Sequence, residues 1–194
     1  MSCCPTDICQ VDIWTFDLDS PRELVLSPEE QARADRFRFE EHRRRWGHAR
    51  SAMRTILAGY VGREAASLTF RYGANGKPAL EDAPGIEFNL SHSHRWGMLA
   101  VTRGAAAGVD LEQIREGVKI AELLERIGET ELEGSTAELF HVWTRREART
   151  KAVGGQLMEI PSADIRVADV LAPAGFAASV ALVGADPAVK YRGL

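Results

Sequence analysis

The order of hydrophobic periodicities constrains this chain's fold more than any single motif. Residues 11–16 (VDIWTF) alternate like a strand. Ser27-Pro28-Glu29-Glu30 is a helix start: Ser27 can cap, Pro28 suits the first helical position, and Glu30 closes a capping box. A helical pattern with room for a break then runs to about Tyr60. Trp46, Ala49, Met53, Ile56, Leu57 and Tyr60 fall on its core face. A strand over 68–72 precedes Asn75-Gly76, a strong turn signal. Residues 86–90 form a strand leading into Ser91-His92-Ser93. Strands over 96–102 and 107–112 are joined by a small-residue turn around Gly104. A short amphipathic helix (118–127), a polar loop (129–135) and a longer helix from about Ser135 to Val153 follow. The last helix stops at Gly154-Gly155. Strands over 164–169, 176–183 and 188–192 complete the reading. Strand, helices, strands, then helices and strands again predict an α+β fold with largely antiparallel sheet, not a doubly wound one. The order of elements is similar on either side of Gly104, which divides the chain into halves 1–104 and 105–194. No sequence repeat accompanies that division.

Composition narrows the class. The 194 residues are 45% apolar and 27% charged, enough for one substantial core or two small ones and incompatible with disorder over most of the length. No apolar run approaches the roughly 18 residues that span a bilayer, and MSCCPTDICQVD carries no secretory pattern. The expectation is therefore a cytoplasmic protein with no membrane partner. Cys3, Cys4 and Cys9 sit together in the first ten residues, a distribution that suits a reduced tail and neither a disulfide framework nor a zinc site. The net charge of −4 weighs against nucleic acid as a partner.

Five constellations carry chemistry. In Gly108-Val109-Asp110-Leu111-Glu112 a strand aims Asp110 and Glu112 at one face, with Val109 and Leu111 on the other. Paired carboxylates repel unless a cation or a proton separates them, and oxygen-only ligation suits Mg²⁺ or Mn²⁺. The competing reading is an acidic edge strand. In Trp143-Thr144-Arg145-Arg146-Glu147-Ala148-Arg149-Thr150-Lys151, Glu147 and Lys151 share a helix face; the bland alternative is a surface ion pair. Yet only four of the 24 basic residues are lysines, and Lys151 supplies a compact point charge that suits phosphate. Phe88-Asn89-Leu90-Ser91-His92-Ser93-His94 points to phosphate and hydroxyl binding rather than nucleophilic catalysis, because neighbours on a strand point apart; its plain reading is a polar strand-to-loop junction. Residues 33–54 hold eight Arg and two His against three acids. Arg36, Arg43, Arg50 and Arg54 form a stripe that reads as a solvated face, with a phosphate site, an acidic protein or nucleic acid as functional options. Asn75-Gly76-Lys77-Pro78 is a tight turn presenting a rare lysine.

In order, these pieces resemble the 4′-phosphopantetheinyl transferases of the Sfp-type branch. The resemblance rests on Gly76-Lys77-Pro78, Phe88-Asn89-Leu90-Ser91-His92-Ser93, Gly108-Val109-Asp110-Leu111-Glu112 and the Trp143–Gly154 segment, and spans about residues 25–157. It implies two similar halves, each a helix packed on a small antiparallel sheet, with coenzyme A in the cleft between them. It implies transfer of phosphopantetheine from coenzyme A to a serine of an acyl or peptidyl carrier protein, with release of 3′,5′-ADP. By position, Asp110, Glu112 and Glu147 are the implied Mg²⁺ (or Mn²⁺) ligands, and Lys151 holds phosphate. The resemblance also implies that Lys77, Ser91 and His92 contact coenzyme A, with Arg33 and Arg45 around its 3′-phosphate. Glu147 is the candidate base for the carrier serine. Arg146 stands where the family often has Lys, and the Glu112–Glu147 connection is short. Two halves that complete one site predict a monomer. Competing readings are a catalytically degenerate coenzyme A-binding protein and a nucleic-acid-binding protein using residues 33–54.

Overall fold

The computed structural model describes residues 8–129, 134–156 and 164–193. Among these residues it is a mixed α+β protein with small sheets and four α-helices. Strand β1 (Ile8–Asp17) is followed by α1 (Pro28–Ala34) and α2 (Glu40–Val61). The hairpin β2 (Phe70–Tyr72) and β3 (Pro78–Leu80), then β4 (Ile86–Ser93), β5 (Trp96–Arg103) and β6 (Ala107–Gln113) come next. After α3 (Ile120–Arg126) and α4 (Thr136–Val153), the chain ends on β7 (Ile165–Asp169), β8 (Phe176–Val183) and β9 (Asp186–Arg192).

Local chemistry explains most of these bounds. Ser27 accepts from the Glu30 amide while the Glu30 carboxylate accepts from the Ser27 amide, the expected capping box. Ser135 and Glu138 build the same device on α4, which ends on Gly154 at φ +63°. Gly76, at φ +78°, turns the β2–β3 hairpin.

Strand order in the larger sheet is β4-β5-β1-β9, and in the smaller one β6-β8-β7. Helix α2 packs Ala49, Met53, Ile56 and Leu57 against Phe16, Phe88, Leu99 and Val101 of the larger sheet. Val109 and Leu111 of β6 join β8 and the inner face of β1 in a second cluster. Helix α4 lies on the smaller sheet through Ala148, Ala152 and Ala181. There β6 and α4 approach so closely that a Cβ on Gly108 would run into the Ala148 carbonyl and the Ala152 amide.

Three details differ from the sequence reading. The expected strand over 86–90 extends through Ser93, so Ser91-His92-Ser93 lies within β4 and not at a junction. Strands β5 and β6 are joined by a turn at Gly104, as expected, and the chain passes there from the larger sheet to the smaller. The largest departure is β9: it pairs with β1 in parallel, Ile8 opposite Asp186. The chain's last strand thus returns to the first sheet, whose antiparallel pattern it breaks. Finally, Cys9 lies in β1 with a free thiol and not in a tail; Cys3 and Cys4 lie outside the described residues, as does most of the polar 129–135 segment.

Half of the basic stripe is also not a solvated face. Arg50 and Arg54 are buried. Both close on Glu30, Arg50 Nε at 2.9 Å from Oε1 and Arg54 Nε at 2.7 Å from Oε2. Arg36 lies beyond the end of α1 and outside either helix. Charge at these helical positions faces inward because a buried acid awaits it there.

Candidate active site

The site forms where β6, β4 and α4 meet. Positions 108, 110 and 112 face α4. Asp110 is buried, and its Oδ1 accepts from Lys151 Nζ at 2.5 Å and from Ser91 Oγ at 3.0 Å. Its other oxygen, Oδ2, is buried with no hydrogen-bond partner among the described residues. Glu112 accepts from Ser93 Oγ at 2.9 Å. Burial and the neighbouring Asp110 charge raise the Glu112 pKa above the usual carboxylate value. Burial raises that of Glu147 too, with Asp110 and Glu112 adding to the rise and Lys151 opposing it. Asp110, Glu112, Glu147 and Lys151 therefore share one electrostatic neighbourhood.

The donors are all oxygens, and the orphaned Oδ2 of Asp110 asks for a positive partner. That chemistry fits a hard divalent cation. Among the described residues, however, no three His, Cys, Asp or Glu side chains stand close enough together to hold one ion. In this conformation Lys151 supplies the positive charge beside Asp110.

The other expected residues divide into those facing open space and those already engaged. His92 is exposed where Ser91 is buried, so the two do point apart. Although part of its ring is open to solvent, crowding by neighbours and the Lys151 ammonium hold the His92 pKa below the usual histidine value. Arg33 is exposed, stacks its guanidinium over Trp46 at 5.5 Å, and lines a cavity of about 410 Å³ with Trp46, Arg50, Phe70 and Tyr72. Arg45, in contrast, is forked on Asp19 at 2.9 and 2.8 Å and also pairs with Glu41. Lys77 donates to the backbone carbonyls of Ala107 at 2.9 Å and Ala152 at 2.7 Å. Burial lowers its pKa. With Asn75 donating to the Gly154 carbonyl at 2.7 Å, the Asn75-Gly76-Lys77 turn straps the C-terminal end of α4, where unpaired carbonyls need donors.

Sequence reasoning missed Asn89 and Ser93 as parts of the site. The available signal was polar alternation: Asn89, Ser91 and Ser93 recur every second residue beside apolar Phe88 and Leu90. A strand polar on one face yet buried on both must hydrogen-bond to a neighbouring element.

Comparison with known proteins supplies an independent line. A family model described as 4′-phosphopantetheinyl transferase, N-terminal, matches residues 21–104. The chain is 36% identical over 174 residues to 4′-phosphopantetheinyl transferase HetI of Nostoc sp., covering 80% of this chain and 73% of that protein. It is 33% identical over 136 residues to 4′-phosphopantetheinyl transferase psf-1 of Bacillus pumilus, covering 66% of this chain and 58% of that one. With 4′-phosphopantetheinyl transferase Sfp of Bacillus subtilis it shares 25% identity over 152 residues, covering 73% of this chain and 66% of the relative. It thus spans about three quarters of the Nostoc protein and about two thirds or less of the two Bacillus proteins. Among the described residues no helix is long and apolar enough to cross a membrane.

Proposed function

Because the chain belongs to the 4′-phosphopantetheinyl transferase family, we propose that it moves 4′-phosphopantetheine from coenzyme A to a serine of an acyl or peptidyl carrier protein. The carrier serine oxygen forms a bond to the pantetheine-bearing phosphorus. The bridging pyrophosphate bond breaks, and 3′,5′-ADP leaves. The serine proton goes to Glu147, directly or through a water. Lys151 neutralises phosphate charge, which its place against Asp110 permits once phosphate oxygens compete for it.

Asp110, Glu112 and Glu147, too far apart for one ion in this conformation, would draw together to hold Mg²⁺, with Mn²⁺ as a substitute. A bound cation there supplies charge neutralisation on the pyrophosphate. Coenzyme A lies between the halves 1–104 and 105–194, its nucleotide end toward Arg33 and Trp46 and its pyrophosphate toward His92. Lys77, Ser91 and Arg45 line the path, and touch the ligand only by exchanging a protein partner for phosphate. The working species is a cytoplasmic monomer.

The observation that carries this reading is the Asp110–Lys151 pair, with Glu112 and Glu147 in its field. A protein that kept coenzyme A but lost transfer has no need of that buried charge cluster. The nucleic-acid reading loses its stripe, since Arg50 and Arg54 are committed to Glu30. The test is mass spectrometry of a panel of apo-carrier proteins incubated with coenzyme A and Mg²⁺. A gain of about 340 Da on the carrier serine, the mass of the added group, is expected. No gain on any carrier, with coenzyme A bound, favours the degenerate reading.

A further inference from the structure

The two sheets meet at β4 and β6 without sharing a ladder. Three β4 side chains take the place of backbone acceptors. Asn89 Oδ1 accepts from the Val109 amide at 2.9 Å, Ser91 Oγ from Leu111 at 3.4 Å, and Ser93 Oγ from Gln113 at 3.1 Å. Acceptors and donors both advance by two residues, so one face of β4 fixes the register of β6 along its length. A register slip of one residue would turn Asp110 and Glu112 into the apolar cluster that holds Val109 and Leu111.

A serine hydroxyl carries a single proton. Because Ser93 Oγ accepts from the Gln113 amide, its proton is free for Glu112 Oε2, 2.9 Å away. One hydroxyl thus pins the backbone of β6 and the carboxylate one residue earlier. We infer that Ser93 is a positioning residue for Glu112, and that Asn89, Ser91 and Ser93 together form a register clamp delivering both β6 carboxylates to α4. Glu112 is a flexible side chain, and its hydrogen bond from Ser93 fixes its orientation on the face it shares with Asp110. The inference rests on the proposed role of Glu112 as a metal ligand.

The experiment uses the full chain and Mn²⁺ alone, with free Mn²⁺ followed by electron paramagnetic resonance in the absence of coenzyme A. Outer partners of metal ligands typically tune affinity by 10–100-fold, so Ser93→Ala is expected to weaken Mn²⁺ binding by roughly tenfold. Ser93→Thr keeps the hydroxyl and should stay within about twofold of the parent protein on the same scale. In steady state, Ser93→Ala should raise the Mg²⁺ concentration for half-maximal rate by about the same factor, leaving the KM for coenzyme A nearly unchanged. Parent-like Mn²⁺ binding by Ser93→Ala, with only a lowered Tm, would overturn the inference. Glu112→Ala separates the two levels. If it too binds Mn²⁺ as the parent does, the metal reading falls with the inference. If it loses Mn²⁺ while Ser93→Ala retains it, only the inference falls.

Discussion

Removing the Glu30 carboxylate should cost more stability than any other single charge deletion in the N-terminal half. Glu30 is 5% exposed, Arg50 8% and Arg54 3%. Oε1 of Glu30 takes Arg50 Nε at 2.9 Å and Nη2 at 2.5 Å, while Oε2 takes Arg54 Nε at 2.7 Å and the Ser27 amide at 2.9 Å. Glu30→Ala strands two buried guanidinium groups and uncaps α1. Breaking a buried ion pair from one side costs about 3–5 kcal/mol, and loss of the capping-box contact adds to it. For a chain of this size that corresponds to a fall in Tm of roughly 6–20 °C. Glu30→Gln keeps the shape and should fall between parent and Glu30→Ala. Hydrogen bonds from Ser27, Arg54 and Arg50, with the Arg50 charge, outweigh burial and hold the Glu30 pKa below its ordinary 4.5. A carboxyl depressed on folding contributes stability that is complete above its unfolded pKa and disappears as pH falls through the folded one. The gap between parent and Glu30→Gln should therefore be widest at neutral pH and narrow from 4.5 downward. Urea unfolding at several pH values is the assay. A Glu30→Ala loss under about 1 kcal/mol at neutral pH, far below the buried-pair range, or a gap that widens on acidification, would refute the reasoning.

The remaining predictions concern the site. Asp110→Ala and Glu112→Ala should each slow single-turnover transfer by about two orders of magnitude or more and shift the Mg²⁺ midpoint, with coenzyme A affinity falling only modestly; parent-like rates in both would place the metal elsewhere. Leu111→Ala points to the opposite face, where the side chain is fully buried. It should cost about 2–5 kcal/mol in stability and leave the metal dependence intact. Lys151→Arg should lose at least about tenfold in turnover at saturating coenzyme A, because a planar fork is wider than the ammonium that sits between Asp110 and Ser91; full turnover would show that a point charge is not required.

What was legible in the sequence was whatever short-range physics decides. Capping at Ser27 depends on residues three apart, and the Gly76 turn on its own backbone angle. The shared face of Asp110 and Glu112 follows from strand geometry alone. The illegible features all required a partner distant in the chain. Arg50 and Arg54 read as surface charge because their buried acid lies 20 and 24 residues upstream and had already been assigned a local role as a cap. The parallel pairing of β9 with β1 joins opposite ends of the chain, and nothing in residues 186–192 specifies that neighbour.

Lys77 shows the same division within one side chain. The turn that presents it is written in Asn75-Gly76, and the family resemblance sets it against coenzyme A. The decisive fact is where α4 ends. Gly154 terminates that helix with its last carbonyls unpaired inside it, and the hairpin arrives there with an amide and an ammonium to satisfy them. The second carbonyl that Lys77 reaches, Ala107, opens the strand carrying Asp110 and Glu112. One ammonium therefore links the helix of Glu147 and Lys151 to the strand of Asp110 and Glu112. If coenzyme A phosphate is to claim Lys77, it must outcompete two carbonyls at 2.9 and 2.7 Å, and ligand binding would then be coupled to the spacing of the carboxylates through this residue.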